Sequence, residues 1–124
     1  MPTSDDLTGL GMSPILAAAV GNNFSSLGCL GTTQGTAAKI LTKNVELVPS
    51  SSQTGAVLQA TVHVGSPVFM FNAQSTGAVI YVPTSDRLNG TTDGTFTLAQ
   101  NKSAYLIKYK VLSGNGYWAA NLTA

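Results

Sequence analysis

Hydrophobic and polar positions follow two different periods along this chain. Near the start, Ile15, Leu16, Ala19 and Val20 share one face of a helix, and the residues around them punctuate it. Ser13 can accept a hydrogen bond from an early backbone N–H, Pro14 suits the first helical position, and Gly21 can take the left-handed stop. At about seven residues such a helix is too short to stand alone, so its apolar face needs a surface to pack on. Ser4 offers a cap to one further turn, interrupted by Gly9 and Gly11. Residues 1–30 are therefore expected to form an arm with a short helix, and residues 31–124 a β domain.

From Gly35 onward the period becomes two. Strands are predicted over residues 37–42, 45–48, 57–64, 68–72, 78–82, 95–99, 103–112 and 117–122. In 57–64, Leu58, Ala60, Val62 and Val64 alternate with Gln59, Thr61 and His63. In 103–112, Tyr105, Ile107, Tyr109 and Val111 fall on one face. Asn89-Gly90 and Asp93-Gly94 are tight-turn dipeptides, and Gly114-Asn115-Gly116 turns the chain into its last strand. With no helix between these strands, antiparallel connections are expected. The fold class predicted is all-β: an antiparallel sandwich, jelly roll or small barrel of about eight short strands, preceded by the helical arm.

Composition changes this picture in one respect. Hydrophobic residues make up 44% of the 124 residues, enough for a core, but only 9% are charged and the net charge is +1. Ser, Thr, Asn and Gln stand in place of charge. Such a surface has little repulsion to keep copies apart, which points to association. The six basic residues form no cluster that could track phosphates, so nucleic acid is not expected as a partner. Lys108 and Lys110, spaced by two on a strand, are expected to share a solvated face. No apolar run reaches membrane-spanning length, and no basic-then-apolar leader pattern opens the chain, so neither a membrane nor signal-directed export is expected.

Candidate chemistry is sparse. His63 is the single histidine and lies on the polar side of its predicted strand, where a surface or interface role is expected. Cys29 is the single cysteine, set in apolar Leu27-Gly28-Cys29-Leu30-Gly31 with no basic neighbour to activate it, and is expected to be a small buried or interface hydrophobe. The acids Asp5, Asp6, Glu46, Asp86 and Asp93 make no paired-carboxylate motif. Turn formation accounts for the oxygens of residues 89–93 more simply than calcium. No catalytic residue, metal site or cofactor is predicted. The aromatics are expected mainly in the core and in cross-strand pairs, with Tyr117 and Trp118 as a candidate surface for stacking sugars.

The serial order of several segments resembles small virion proteins of tailed bacteriophages. These are Asp6-Leu7-Thr8-Gly9-Leu10-Gly11-Met12-Ser13-Pro14, Leu16-Ala17-Ala18-Ala19-Val20-Gly21-Asn22, Gly31-Thr32-Thr33-Gln34-Gly35-Thr36-Ala37, Gly77-Ala78-Val79-Ile80-Tyr81-Val82-Pro83, Leu88-Asn89-Gly90, Phe96-Thr97-Leu98-Ala99 and the closing Tyr117-Trp118. The likeness covers almost the whole chain. One departure is Asn72-Ala73-Gln74-Ser75-Thr76-Gly77, which replaces a polar stretch common in the family and implies a differently shaped loop. The resemblance implies a virion structural role, decorating or cementing the capsid or filling a related head or tail position, with no catalytic motif to transfer. The first expectation is a non-enzymatic protein on the capsid exterior, and the lone cysteine fits assembly in the reducing cytoplasm of the host bacterium. The protein would decorate and cement the capsid as a homo-oligomer, expected to be a trimer, with the major capsid protein as its other partner. Leu7, Leu10, Met12, Ile15, Leu16, Val20 and Phe24 are the candidate contact residues on the arm. The competing expectation is a head-fibre or tail-associated module that binds host glycans.

Overall fold

The computed structural model describes residues 25–122. The predicted arm helix and all seven arm contact residues, Leu7 to Phe24, lie outside them. Every regular element among the described residues is a strand: β1 (Ser25–Gly28), β2 (Ala38–Lys39), β3 (Asn44–Val48), β4 (Gly55–Val57), β5 (Pro67–Asn72), β6 (Ala78–Tyr81), β7 (Arg87–Leu88), β8 (Thr91–Thr92), β9 (Thr95–Leu98), β10 (Lys102–Leu112) and β11 (Asn115–Leu122). They form a seven-stranded sheet in the order β1-β3-β5-β10-β11-β7-β8 and a four-stranded sheet in the order β2-β4-β6-β9. The β body thus takes in Ser25–Gly28, ahead of the boundary expected at residue 31.

The all-β class agrees with the sequence, but the expected antiparallel connectivity does not hold. From β1 to β6 the chain crosses from one sheet to the other at every step. Consequently β1, β3 and β5 lie parallel in the larger sheet, and β2, β4 and β6 lie parallel in the smaller. Parallel neighbours need a long crossover connection, which a helix usually supplies. Here a strand of the opposite sheet supplies it, so the absence of helices never required antiparallel neighbours. Only afterwards does the chain reverse: β9 runs antiparallel to β6, β10 to β5, and β11 to β10.

Each sheet turns one face inward. Val45, Leu47, Val68, Met70, Ala104, Leu106 and Trp118 from the larger sheet share a core with Ala56, Ala78, Ile80 and Leu98 from the smaller. Each fully buried large aliphatic side chain contributes roughly 1.5–3 kcal/mol. The alternation in β5 and the first half of β10 follows directly: Val68, Met70, Ala104 and Leu106 face in, while Phe69, Phe71, Tyr105 and Ile107 face out.

The predicted strand over 57–64 ends early. Leu58 is buried and its N–H still bonds the Tyr81 carbonyl, but the chain then makes two turns, closed by Val62 N–H to Gln59 and Ser66 N–H to His63. The carbonyl of Ala60 is met by the Lys108 ammonium at 2.8 Å instead of by a strand. Sequence alternation continues past Leu58, yet no neighbouring strand is there to pair it. The last turn also shifts. Ser113 and Gly114 take the two positive-φ positions between β10 and β11, with Leu112 opposite Asn115, so Asn115 and Gly116 already belong to the strand. Asn89 and Gly90 do the same between β7 and β8, as their sequence predicts.

Two buried polar side chains tie the irregular segments to the sheets. Asn72 donates to the Thr76 and Leu98 carbonyls and accepts from the Gln74 N–H. Asp86 accepts from the Gly116 N–H and from the Trp118 indole N–H, both at 2.9 Å. Substituting Asp86→Ala strands two buried donors, at about 1–3 kcal/mol for each group left unsatisfied. Its unfolding midpoint in urea should therefore fall by the equivalent of roughly 2–6 kcal/mol with little change in slope. A midpoint equal to that of the parent would mean that Asp86 does not hold the indole.

Candidate interaction face

Among the described residues, the outer side of the seven-stranded sheet carries a row-by-row array of exposed and half-buried aromatic and aliphatic side chains. Strand register sets them in rows. Asn44, Phe69, Tyr105 and Asn121 lie side by side; Pro67, Ile107 and Ala119 form the next row; Glu46, Phe71 and Ser103 form the row on the other side. The Phe69 and Tyr105 rings stack tilted, with centroids 5.0 Å apart. Tyr105 nonetheless remains 53% exposed. An open hollow of about 450 Å³ lies over Pro67, Tyr105, Ile107 and Ala119.

A β-bulge reorganises the end of this face. The pairing of β10 with β11 shifts between Lys108 and Lys110, leaving Tyr109 as the extra residue. A bulge sets two residues against one, so the alternation beyond it is offset by one residue from the alternation before it. Lys108, the last residue before the bulge, keeps the inward facing of Ala104 and Leu106 and is buried, its ammonium bonded to the Ala60 carbonyl and 5.4 Å from the Trp118 ring centroid. Lys110 sits opposite Tyr117 on the outside. The expectation that the two lysines share a solvated face is thus overturned. Val111 is also displaced: it pairs with buried Gly116 and leaves the face of Tyr105 and Ile107.

Around Tyr117 the outer face becomes cationic. The Lys110 ammonium lies 4.6 Å and the Arg87 guanidinium 5.4 Å from its ring centroid, and Tyr109 meets it edge-on at 6.2 Å. Cation–π contacts at such exposed sites contribute about 0.5–1 kcal/mol each. Nothing in the sequence period signals this cluster, because the bulge that assembles it breaks the period.

Trp118 does not sit at the surface beside Tyr117. Consecutive strand residues face opposite sides, so with Tyr117 outside, Trp118 is inside, 0% exposed and bonded to Asp86. The candidate sugar-stacking pair is reduced to Tyr117 alone.

The other chemical candidates are dispersed. His63 is exposed on the rim of a cavity of about 210 Å³ floored by Ile40, Leu58 and Val68, with Lys43 also on the rim. The oxygens of the 89–93 segment serve the backbone: Asn89 accepts from the Ala120 N–H and Asp93 from the Ser85 N–H. Among the described residues, no three His, Cys, Asp or Glu side chains gather where they could hold a metal ion, and no helix is long and apolar enough to cross a membrane. No protein-family model, curated protein or solved structure matches this chain.

Cys29 is buried at the end of β1, where its backbone N–H bonds the Val48 carbonyl. Burial pushes its thiol pKa up, against a smaller opposing effect of the hydrogen bond to the Val48 backbone. Since the thiolate is the reactive form, a raised pKa and a covered sulfur both slow modification. A disulfide reagent at pH 8 should label Cys29 slowly in the folded protein and rapidly once denaturant is added. Equal rates in both conditions would show that the β1–β3 pairing opens readily.

Proposed function

We propose that this chain is a structural protein of a tailed-bacteriophage virion, which decorates and stabilises the outside of the capsid as a homo-oligomer. The observation that carries this reading is the outward aromatic and aliphatic face of the seven-stranded sheet, on a chain with only 9% charged residues. An apolar patch of a few hundred Å² or more on a protein surface marks a contact site, and weak charge suits dense packing of copies. The serial resemblance to small phage virion proteins supplies the setting: sister copies, with three expected, and the major capsid protein as partners. In that setting the two packed sheets are a sandwich-type building block. Its parallel coil of strands departs from the Greek-key pairing of a jelly roll.

The glycan-binding alternative has less support. It loses Trp118 to the core, and the remaining Tyr117 ring already holds Lys110, Arg87 and Tyr109 against it. The decisive measurement is binding to the expanded heads of the phage that carries the gene. The protein should co-sediment with them in many copies per head and raise the temperature at which they break. Heads that remain bare at saturating protein, together with a glycan ligand lost on Tyr117→Ala, would reverse the order of the two readings.

A further inference from the structure

We propose that the outer face of the seven-stranded sheet is a self-association surface whose occupant is a second copy of this chain, with Glu46 of each copy meeting the Lys110–Arg87 cluster of the other. This rests on the assembly reading above and names the partner of that face: a twofold contact joins copies in pairs, in place of the trimer expected from the sequence.

The proposal starts from the distribution of charge over the face. Glu46 projects outward from β3 in the row of Phe71 and Ser103. Lys110 lies seven positions beyond Ser103 along β10, about 23 Å at strand rise, and two strands across from β3, roughly 10 Å. Acid and cation are therefore about 25 Å apart in one copy. That is too far to pair and well beyond the Debye length of about 8 Å in physiological salt. Between them lies an uncharged centre of Phe69, Tyr105, Pro67, Ile107 and Ala119.

A surface with an acid at one corner, cations at the opposite corner and an apolar centre is complementary to itself. Let a second copy lie face to face, related by a twofold axis in the interface plane and perpendicular to the line from Glu46 to Lys110. Each carboxylate then stands over the other copy's ammonium, and apolar rows cover apolar rows. That is an isologous interface, in which one patch serves both partners. The alternative superposition would set Lys110 against Lys110, and like-charge contact of this kind disfavours wrong registers.

Five strands by seven residues give the face about 450 Å² in plan, in the range of the functional patches of monomers. Flanking side chains must supply the rest of the roughly 800 Å² that a stable dimer buries on each partner. Edge-to-edge addition is the poorer route to self-association. The outermost strands β8 and β2 have two residues each, and β1 and β9 have four; short edges give little template for pairing.

Charge reversal tests the proposal by sedimentation equilibrium of the purified full chain. The parent should associate, and Glu46→Lys and Lys110→Glu should each weaken association at least about tenfold. An equimolar mixture of the two variants should recover it. Across the mixed pair the introduced lysine faces the introduced glutamate, and the native Lys110 of one copy faces the native Glu46 of the other. Circular dichroism identical to the parent would show that the variants are folded, and Tyr105→Ser, which adds no charge, should weaken association through loss of the apolar centre. A parent that stays monomeric at high concentration, or association indifferent to both reversals, overturns the inference. Head binding is scored separately. Heads decorated by a monomeric protein would sink the self-association face and leave the virion reading standing, and an associating protein that ignores heads would do the reverse.

Discussion

One surplus residue in β10 decides what the outer face of the seven-stranded sheet carries beyond Lys108. Were β10 a regular strand to its tip, Lys108 and Lys110 would share a side, with Tyr109 on the other. Lys108 keeps the inward side of Ala104 and Leu106, and the bulge at Tyr109 instead moves Lys110 outside, against Tyr117. A buried ammonium needs partners. Lys108 has the Ala60 carbonyl and the Trp118 ring, and Trp118 is itself fixed by Asp86. Gly116 completes the arrangement. A methyl group there would stand 2.8 Å from the Asp86 carboxyl oxygen and 3.2 Å from both the indole nitrogen and Lys108. Regular alternation up to Lys108 thus makes the inner anchor, and the bulge just beyond it makes the outer cationic corner.

That dependence explains which parts of the fold were legible in the sequence. The strands around Phe69–Phe71, Ile80 and Leu106 are long enough to alternate, and they appear where alternation puts them. Short strands are another matter. Arg87–Leu88 and Thr91–Thr92 have two residues each, fewer than a period of two can reveal, and only the Asn89-Gly90 turn between them is visible. Ser25–Gly28 has no β-branched residue and owes its strand to parallel pairing with β3. Conversely, the alternation from Leu58 to Val64 finds no partner strand and goes unused.

The candidate face shows the same division. That Tyr105 and Ile107 share a side is a local property, readable from spacing. Which side faces water depends on what the opposite sheet covers, and no local pattern carries that. Here the smaller residues Ala104 and Leu106 go inward and the larger Tyr105 outward. Ala56 and Ala78 from the smaller sheet are among the residues that fill the core opposite them. The indole of Trp118 lies in the core beside Leu88 of β7, and its one polar atom requires an acceptor there. Asp86 supplies it from an irregular segment whose position follows from the tertiary fold.

Low charge then acquires a structural meaning beyond solubility. Of the three described acids, Asp86 and Asp93 spend their oxygens on backbone and side-chain N–H groups inside one copy. Glu46 is the acid left on the outer face, and Lys110 with Arg87 supplies the opposing charge at its far corner. A surface with many ion pairs gains little specificity from any one of them, since exposed pairs contribute about 0–1 kcal/mol and can re-pair with neighbours. On a nearly uncharged face, one acid and one cationic cluster set far apart fix orientation, while the apolar rows between them provide most of the adhesion. Scarcity of charge is what allows the few charges present to specify a register.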